Sequence, residues 1–559
     1  MKTLLPPIAL LLLTLPAPGQ TSGIIGSKHD LTASGPGAIK AAAETEVCLF
    51  CHTPHRANEL PLWNHALSSA TYTPYNSTTL KATVGQPSGA SKLCLSCHDG
   101  TVALGMVNSR GTAISMNNHV TTLPPGASNL GTDLSDDHPV SFVFDSALVA
   151  ANGQLRDPAT LQNRVKLDHN SELQCTACHD PHDDRFGKFL VTDNRGSALC
   201  TTCHAPKYWS SSTHRTSTKS WNGIGQDPWP HTDHSTVQDN ACANCHRPHT
   251  AGTSQRLLNL PDEEQNCFVC HSGNVAAKNL AAEFNKISVH PITETSGIHH
   301  PAEDALNPAR HVACADCHNS HAANDSPAAA PNAAGPIAGT IGVNTIGSVV
   351  NPIVKDYELC FRCHADSLAR GPARVNRQFA QTNCRLEFNS VNASFHPVTT
   401  AGKNPNVPSL IPPWTTSSLM KCGDCHNNDQ GPGNNGAGPN GPHGSSYPPI
   451  LERNLLLTDN SDESAQNYAL CYKCHSRTVV TSEQLNSWRY HRKHVVDARA
   501  ACTTCHDPHG VQNVSHLINF NRNYVTASSN GRLEFNDTGM NRGNCSLTCH
   551  GKDHNALSY

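Results

Sequence analysis

The sequence predicts a chain that is mostly coil, with short α-helices and little β structure, organised as six tandem units that pack around bound groups and not around a large side-chain core. Three observations predict it. A cysteine pair followed directly by a histidine recurs twelve times in 559 residues. Those twelve motifs alternate between two forms, so the repeating unit is a pair of motifs. The composition is 37% apolar and 5% aromatic, with 38 glycines and 38 prolines, which is too lean to bury a core of its own.

The motifs justify the units one by one. They are Cys48, Cys51, His52; Cys94, Cys97, His98; Cys175, Cys178, His179; Cys200, Cys203, His204; Cys242, Cys245, His246; and Cys267, Cys270, His271. The series continues with Cys314, Cys317, His318; Cys360, Cys363, His364; Cys422, Cys425, His426; Cys471, Cys474, His475; Cys502, Cys505, His506; and Cys545, Cys549, His550. Eleven read CxxCH and the last reads CxxxCH. This is the attachment signature of haem c. Two thiols one helical turn apart each add to a vinyl group of one porphyrin, and the next residue supplies the proximal imidazole. In the twelfth motif the extra residue has to bulge between the two attachment points. The count predicts twelve covalently bound haems, whose flat apolar faces stand in for the missing core. An apo-chain of this composition is expected to be largely unfolded.

Disulfides and zinc ribbons are the competing readings of so many cysteines, and neither needs a histidine after every pair. With 24 of 25 cysteines assigned, Cys384 is left over and reads as a buried or capped thiol. Met1 to Gly19 reads as a secretory signal peptide, with basic Lys2, an apolar run from Leu4 to Leu15, and small Ala17 and Gly19. The chain is therefore expected to be periplasmic or secreted, without a transmembrane segment in its mature part. A formal net charge of −4 gives no reason to expect nucleic acid as a partner.

The residues just downstream of each motif establish the pairing. A second histidine stands three residues after the first at His55, His182, His249, His321 and His509, all after odd-numbered motifs. The ninth motif has Asp429 there instead, and no even-numbered motif has such a histidine. The units are a signal peptide at 1–19, the first haem pair with a haem-free insert at 20–168, and further pairs at 169–230, 231–298, 299–395, 396–490 and 491–559. Cys175 to Cys200 and Cys242 to Cys267 are both 25 positions apart, the compact form of the unit. Elsewhere glycine- and proline-rich loops lengthen it. Apolar stretches after first motifs (Phe186 to Val191, Leu257 to Leu260, Leu455 to Leu457, His516 to Phe520) are expected to pack on porphyrin. Val140 to Phe144 reads as a strand and Ser482 to Val496 as a longer helix.

Twelve irons need twelve distal ligands. Five methionines against 23 histidines outside the motifs (35 − 12) exclude widespread His/Met ligation and predict bis-histidine irons of low potential. The recurring His55, His182, His249, His321 and His509 are the first candidates, with His182 and His249 expected to serve the second haem of their own pairs. His138, His290 and His396 precede prolines that hold them extended, and His214, His491 and His554 stand in comparable places. His29, His169, His234, His300, His311 and His494 compete. For the ninth iron, which lacks a histidine at 429, His443 is the candidate.

The alternation of CxxCHxPH with CxxCH resembles the doubled-CXXCH class of bacterial multihaem c-type cytochromes over nearly the whole mature sequence. That resemblance implies electron transport, with redox proteins, a porin-cytochrome complex or an extracellular acceptor as partners. A multihaem reductase of nitrite, hydroxylamine or a sulfur oxyanion is the alternative, weakened because every motif ends in histidine. A structural subunit of a cytochrome filament or porin complex is a third reading.

Overall fold

The computed structural model describes residues 23–57, 61–161, 164–292, 297–306, 311–327, 329–368, 371–484, 488–540 and 542–559. The signal peptide expected at 1–19 lies outside them. The chain forms two compact units, one of Met1–Ala205 with Cys245–Asn259, the other of Pro206–Asn244 with Leu260–Tyr559. No described helix is long and apolar enough to cross a membrane.

Most of the motifs take one of two local forms. Second motifs end α-helices: Gly89–His98, Ala198–Cys203, Glu263–His271 and Asp356–His364. First motifs occupy a single turn, as at Val47–Phe50, Cys175–Ala177, Cys314–Cys317, Cys422–Asp424 and Cys502–Cys505. The proline two residues after His52, His179 and His506 disfavours helical backbone at the residue before it, so the turn ends at the histidine. Acidic residues inside two of these turns cap them. Asp316 accepts from the Ala313 amide at 2.7 Å, and Asp424 from the Lys421 amide at 2.7 Å.

Apolar burial is divided into small clusters. The largest joins Val343, Tyr357, Phe361, Ala365, Phe388, Phe395, Val398 and Met420 in the second unit. Half-buried Cys384 packs against it, and burial pushes its thiol far above the ordinary range. None of the 25 cysteines forms a disulfide. In the first unit the insert between second and third motifs has its own small fold. Phe142–Val143 pairs antiparallel with Glu172–Leu173, and the helix Ser146–Asn152 is capped by the Asp145 carboxylate and ended by Gly153 at φ 72°.

Two expectations fail. The helix over Ser482 to Val496 reduces to a π-helical turn at Lys493–Asp497, with 485–487 outside the described residues. The C-terminal segment, read as coil, is an antiparallel sheet of Glu534–Gly539, Arg542–Cys549 and Lys552–Ser558, with Val525–Thr526 paired to the middle strand. Cross-strand pairing of Phe535 with Cys545 and Cys545 with Leu557 supplies partners that a single-sequence reading does not see. The twelfth motif therefore lies on a strand, where four residues span roughly 13 Å, and does not form the tight turn of the others.

Candidate haem-ligand array

The proximal histidines are oriented by the chain downstream of them. His52, His179, His426 and His506 form antiparallel bridges with Trp63, Leu190, Leu451 and Ile518. In each case the carbonyl two residues before the bridged residue accepts from Nδ1: Pro61 at 3.0 Å, Lys188 at 2.9 Å, Pro449 at 2.9 Å and His516 at 2.9 Å. His246 repeats this with Leu258 and the Arg256 carbonyl at 2.8 Å. Non-glycine residues with positive φ recur at this spot, among them Leu62, Phe189, Leu257, Ile450 and Leu517. Such backbone is costly; here it precedes each bridged residue. A committed Nδ1–H leaves Nε2 as the ligand atom. The downstream apolar stretches are thus hairpin arms; in the fifth pair the arm is at Leu451, not at Leu455 to Leu457.

Opposite these rings stand others at one separation. Ring centroids are 6.1 Å apart for His52 and His182, 6.1 Å for His98 and His29, 6.2 Å for His179 and His249, and 6.2 Å for His204 and His138. In the second unit they are 6.2 Å for His271 and His214, 6.0 Å for His318 and His443, and 6.3 Å for His364 and His290. His426 with His509 and His506 with His491 are each at 6.2 Å. The interplanar angles of these pairs run from 13° to 82°. Ring stacking does not hold a fixed separation over such a range of angles. A shared atom does: metal–nitrogen bonds of about 2 Å on both sides, with ring centres about 1 Å further out, put centroids on the order of 6 Å apart. The residues present therefore fit an iron held by two imidazoles.

Burial, the first cause in each case, holds His29, His204, His271, His426, His475 and His506 down to about 4, so they are neutral as ligands must be. Of the histidines that act on His475, the tenth motif's ring, His396 acts most strongly.

This placement corrects the expected pairing. His182 and His249 stand not over the second motif of their own pairs but over His52 and His179, the first motif of the preceding pair; His509 likewise stands over His426. The reason is the turn at the first motif, which sends the residue three positions on away from its own unit. His443 faces His318, so the substitution at Asp429 concerns the seventh position and not the ninth. Asp429 is held by Lys286 Nζ at 2.7 Å, which also pairs with Glu283. His29, a competitor on sequence grounds, stands opposite His98. His55 is exposed, and it, His169, His234 and His300 face no motif ring among the described residues. His321 lies edge-on to Trp209 at 5.9 Å. His554 faces His494 at 6.3 Å, while His550 bonds Asp459 at 2.9 Å.

The opposing rings are also tied to each other. His290 Nδ1 donates to the Pro442 carbonyl at 2.9 Å, beside His443, and His396 Nδ1 donates to Pro508, beside His509. His214 Nδ1 donates to Ser320 at 3.1 Å, beside His321, and His29 approaches Pro181 at 3.5 Å, beside His182. Among the described residues three opposing rings pair with a carboxylate: His249 with Asp137 and His509 with Glu387, each at 3.0 Å, and His182 with Asp180 at 3.5 Å. Burial pulls His509 down, but Glu387 outweighs it and raises the ring.

The cysteines follow chain order. In the first unit Cys97 neighbours Cys51, Cys94 reaches Cys175, and Cys178 neighbours Cys203. In the second unit Cys317 neighbours Cys363, Cys360 reaches Cys422, Cys425 neighbours Cys474, Cys471 reaches Cys502, and Cys505 neighbours Cys549. Inside each unit these second cysteines meet within a pair and these first cysteines meet between pairs.

Paired thiols and facing imidazoles in this number define the class: the chain is a multihaem c-type cytochrome. The family model for the doubled CXXCH motif matches residues 169–208 and 234–276. The chain is also similar to the multiheme cytochrome MtrA of Shewanella baltica (strain OS185), 26% identical over 211 residues, which is 36% of this chain and 44% of that relative. It thus spans less than half of that relative's length.

Proposed function

We propose that the protein is an electron conduit in periplasmic or extracellular respiration, holding twelve haems in chain order, each with histidine on both faces. The observation that carries the reading is the constant 6.0–6.3 Å between a motif imidazole and its opposite ring. When bound, haem c supplies a one-electron iron couple at each position. The chain's own residues do the rest. The motif cysteines would fix the order, two imidazoles would hold each iron, and backbone carbonyls hold those rings so that they need not reorganise. Bis-histidine ligation sets low potentials. A closed iron has no place for a small substrate, so the proposed partners are redox proteins, a porin-cytochrome complex or an extracellular acceptor. The Met1 to Gly19 segment supports export.

The test is the spin state of the purified oxidised holoprotein by electron paramagnetic resonance, with carbon monoxide added to the reduced form. Low-spin iron throughout and no stoichiometric carbon monoxide binding are expected. One high-spin iron that binds carbon monoxide and sustains turnover with nitrite or hydroxylamine would replace the conduit with a reductase.

A further inference from the structure

Outside the haem-ligand array, four side chains in the second unit converge on one point. His299 Nδ1 and His311 Nε2 are 3.4 Å apart. Glu303 Oε2 lies 3.1 Å from His311 Nε2 and 3.7 Å from His299 Nδ1. Asp316 places Oδ1 3.5 Å from His299 Nδ1 and Oδ2 3.6 Å from His311 Nε2. Bonds of about 2.0–2.2 Å to a tetrahedral ion put neighbouring donors roughly 3.4 Å apart. With either Asp316 oxygen as the fourth donor, four of the six edges are among these distances, and one donor atom from each residue lies within 4.8 Å of the other three.

Charge points the same way. The four side chains are 8–15% exposed, and Glu263, bonded to the His299 and Ala315 amides at 3.1 and 2.8 Å, adds a third carboxylate. The Arg362 guanidinium lies 3.1 Å from Asp316 Oδ1 and 3.4 Å from Glu303 Oε1. Three carboxylates gathered in a largely buried place favour a cation between them. A dication bound by the two imidazoles would meet that demand, and Arg362 then orients the two ligand carboxylates from outside.

We propose that His299, Glu303, His311 and Asp316 form a structural Zn²⁺ site. Two imidazoles and two carboxylates in a closed tetrahedral set suit that ion. The site ties the segment before the seventh motif to Asp316 inside that motif, and through Arg362 to the eighth. It is independent of the conduit reading.

The test uses the full-length holoprotein, dialysed against chelator and titrated with Zn²⁺. Haem iron serves as the internal count in elemental mass spectrometry, and zinc-edge absorption reports the ligands. One tightly held zinc per chain with four nitrogen and oxygen ligands is expected. Glu303→Gln and His311→Ala should each weaken binding by at least about 100-fold, with haem content and the low-spin spectrum unchanged. Absence of a stoichiometric tight zinc, zinc binding that survives both variants, or loss of a low-spin haem in either variant would overturn the proposal.

Discussion

Replacing Glu387 by glutamine tests the proposed ligation of the ninth iron through its potential. The carboxylate is 6% exposed and lies 3.0 Å from His509 Nδ1. An iron bound at Nε2 is about 7 Å from that charge, and at an effective dielectric constant near 20 the interaction is about 2.4 kcal/mol. At 59 mV per tenfold for one electron this corresponds to ~100 mV. The His509 side chain is 36% exposed, and solvent there reduces the figure to roughly 50–100 mV. The negative charge favours the oxidised iron, so its removal raises the potential. A spectroelectrochemical titration of variant minus wild type should show one haem's share of the absorbance change displaced upward by that amount. Asp137→Asn should act alike on the third haem, because Asp137 holds His249 at 3.0 Å. The exposed Asp462, paired with Arg499 at 3.0 Å, is the control, and Asp462→Asn should move nothing. If no component moves in Glu387→Gln, or one moves downward, His509 does not ligate iron in the proposed way.

Other consequences are as direct. His182→Ala and His138→Ala should each create one high-spin iron, and the double variant two; a double variant with only one would place both histidines on the fourth haem. His443→Ala and His509→Ala should likewise be additive, because the rings face His318 and His426 respectively. Intact mass of the holoprotein should show twelve haems, which requires Cys545 and Cys549 to leave their extended strand for a turn; a deficit of one at those cysteines would mean that the strand persists. Chain made without haem attachment should show little ordered secondary structure by circular dichroism and rapid proteolysis, since its apolar clusters are small; a cooperative unfolding transition would contradict this.

What was legible in the sequence was covalent chemistry. The cysteine pairs, proximal histidines and sparse secondary structure all follow from local spacing, and His138, His214, His290, His491 and His509 stand opposite motif rings. The identity of each partner was not legible, because a histidine three residues past a turn can point forward or back, and the turn's exit direction is a tertiary property. His29 and His443 carry no local signal to set them above their competitors. The C-terminal sheet depends on partners such as Phe535 and Leu557 whose register needs three strands at once. The zinc-ligand set was hidden differently: Asp316 is one of the variable positions inside a CxxC, and His299, Glu303 and His311 have no metal-motif spacing.

On the proposed ligation, the rings that close the first positions of the first, second, fourth and fifth pairs come from the pair that follows, and each is braced against the ring that closes the second position. His443 and His290, joined through Pro442, are the clearest case. On the proposed ligation, a pair is finished only after the following pair has been threaded into place. Closure then travels like a zip in one direction, from the N-terminal end. Removing or inserting a whole pair restores every match, because the next pair along then supplies the ring, whereas removing half a pair leaves an iron open. Length can therefore change by whole pairs, and the reach of the conduit is quantised by the same hydrogen bond that holds each ring.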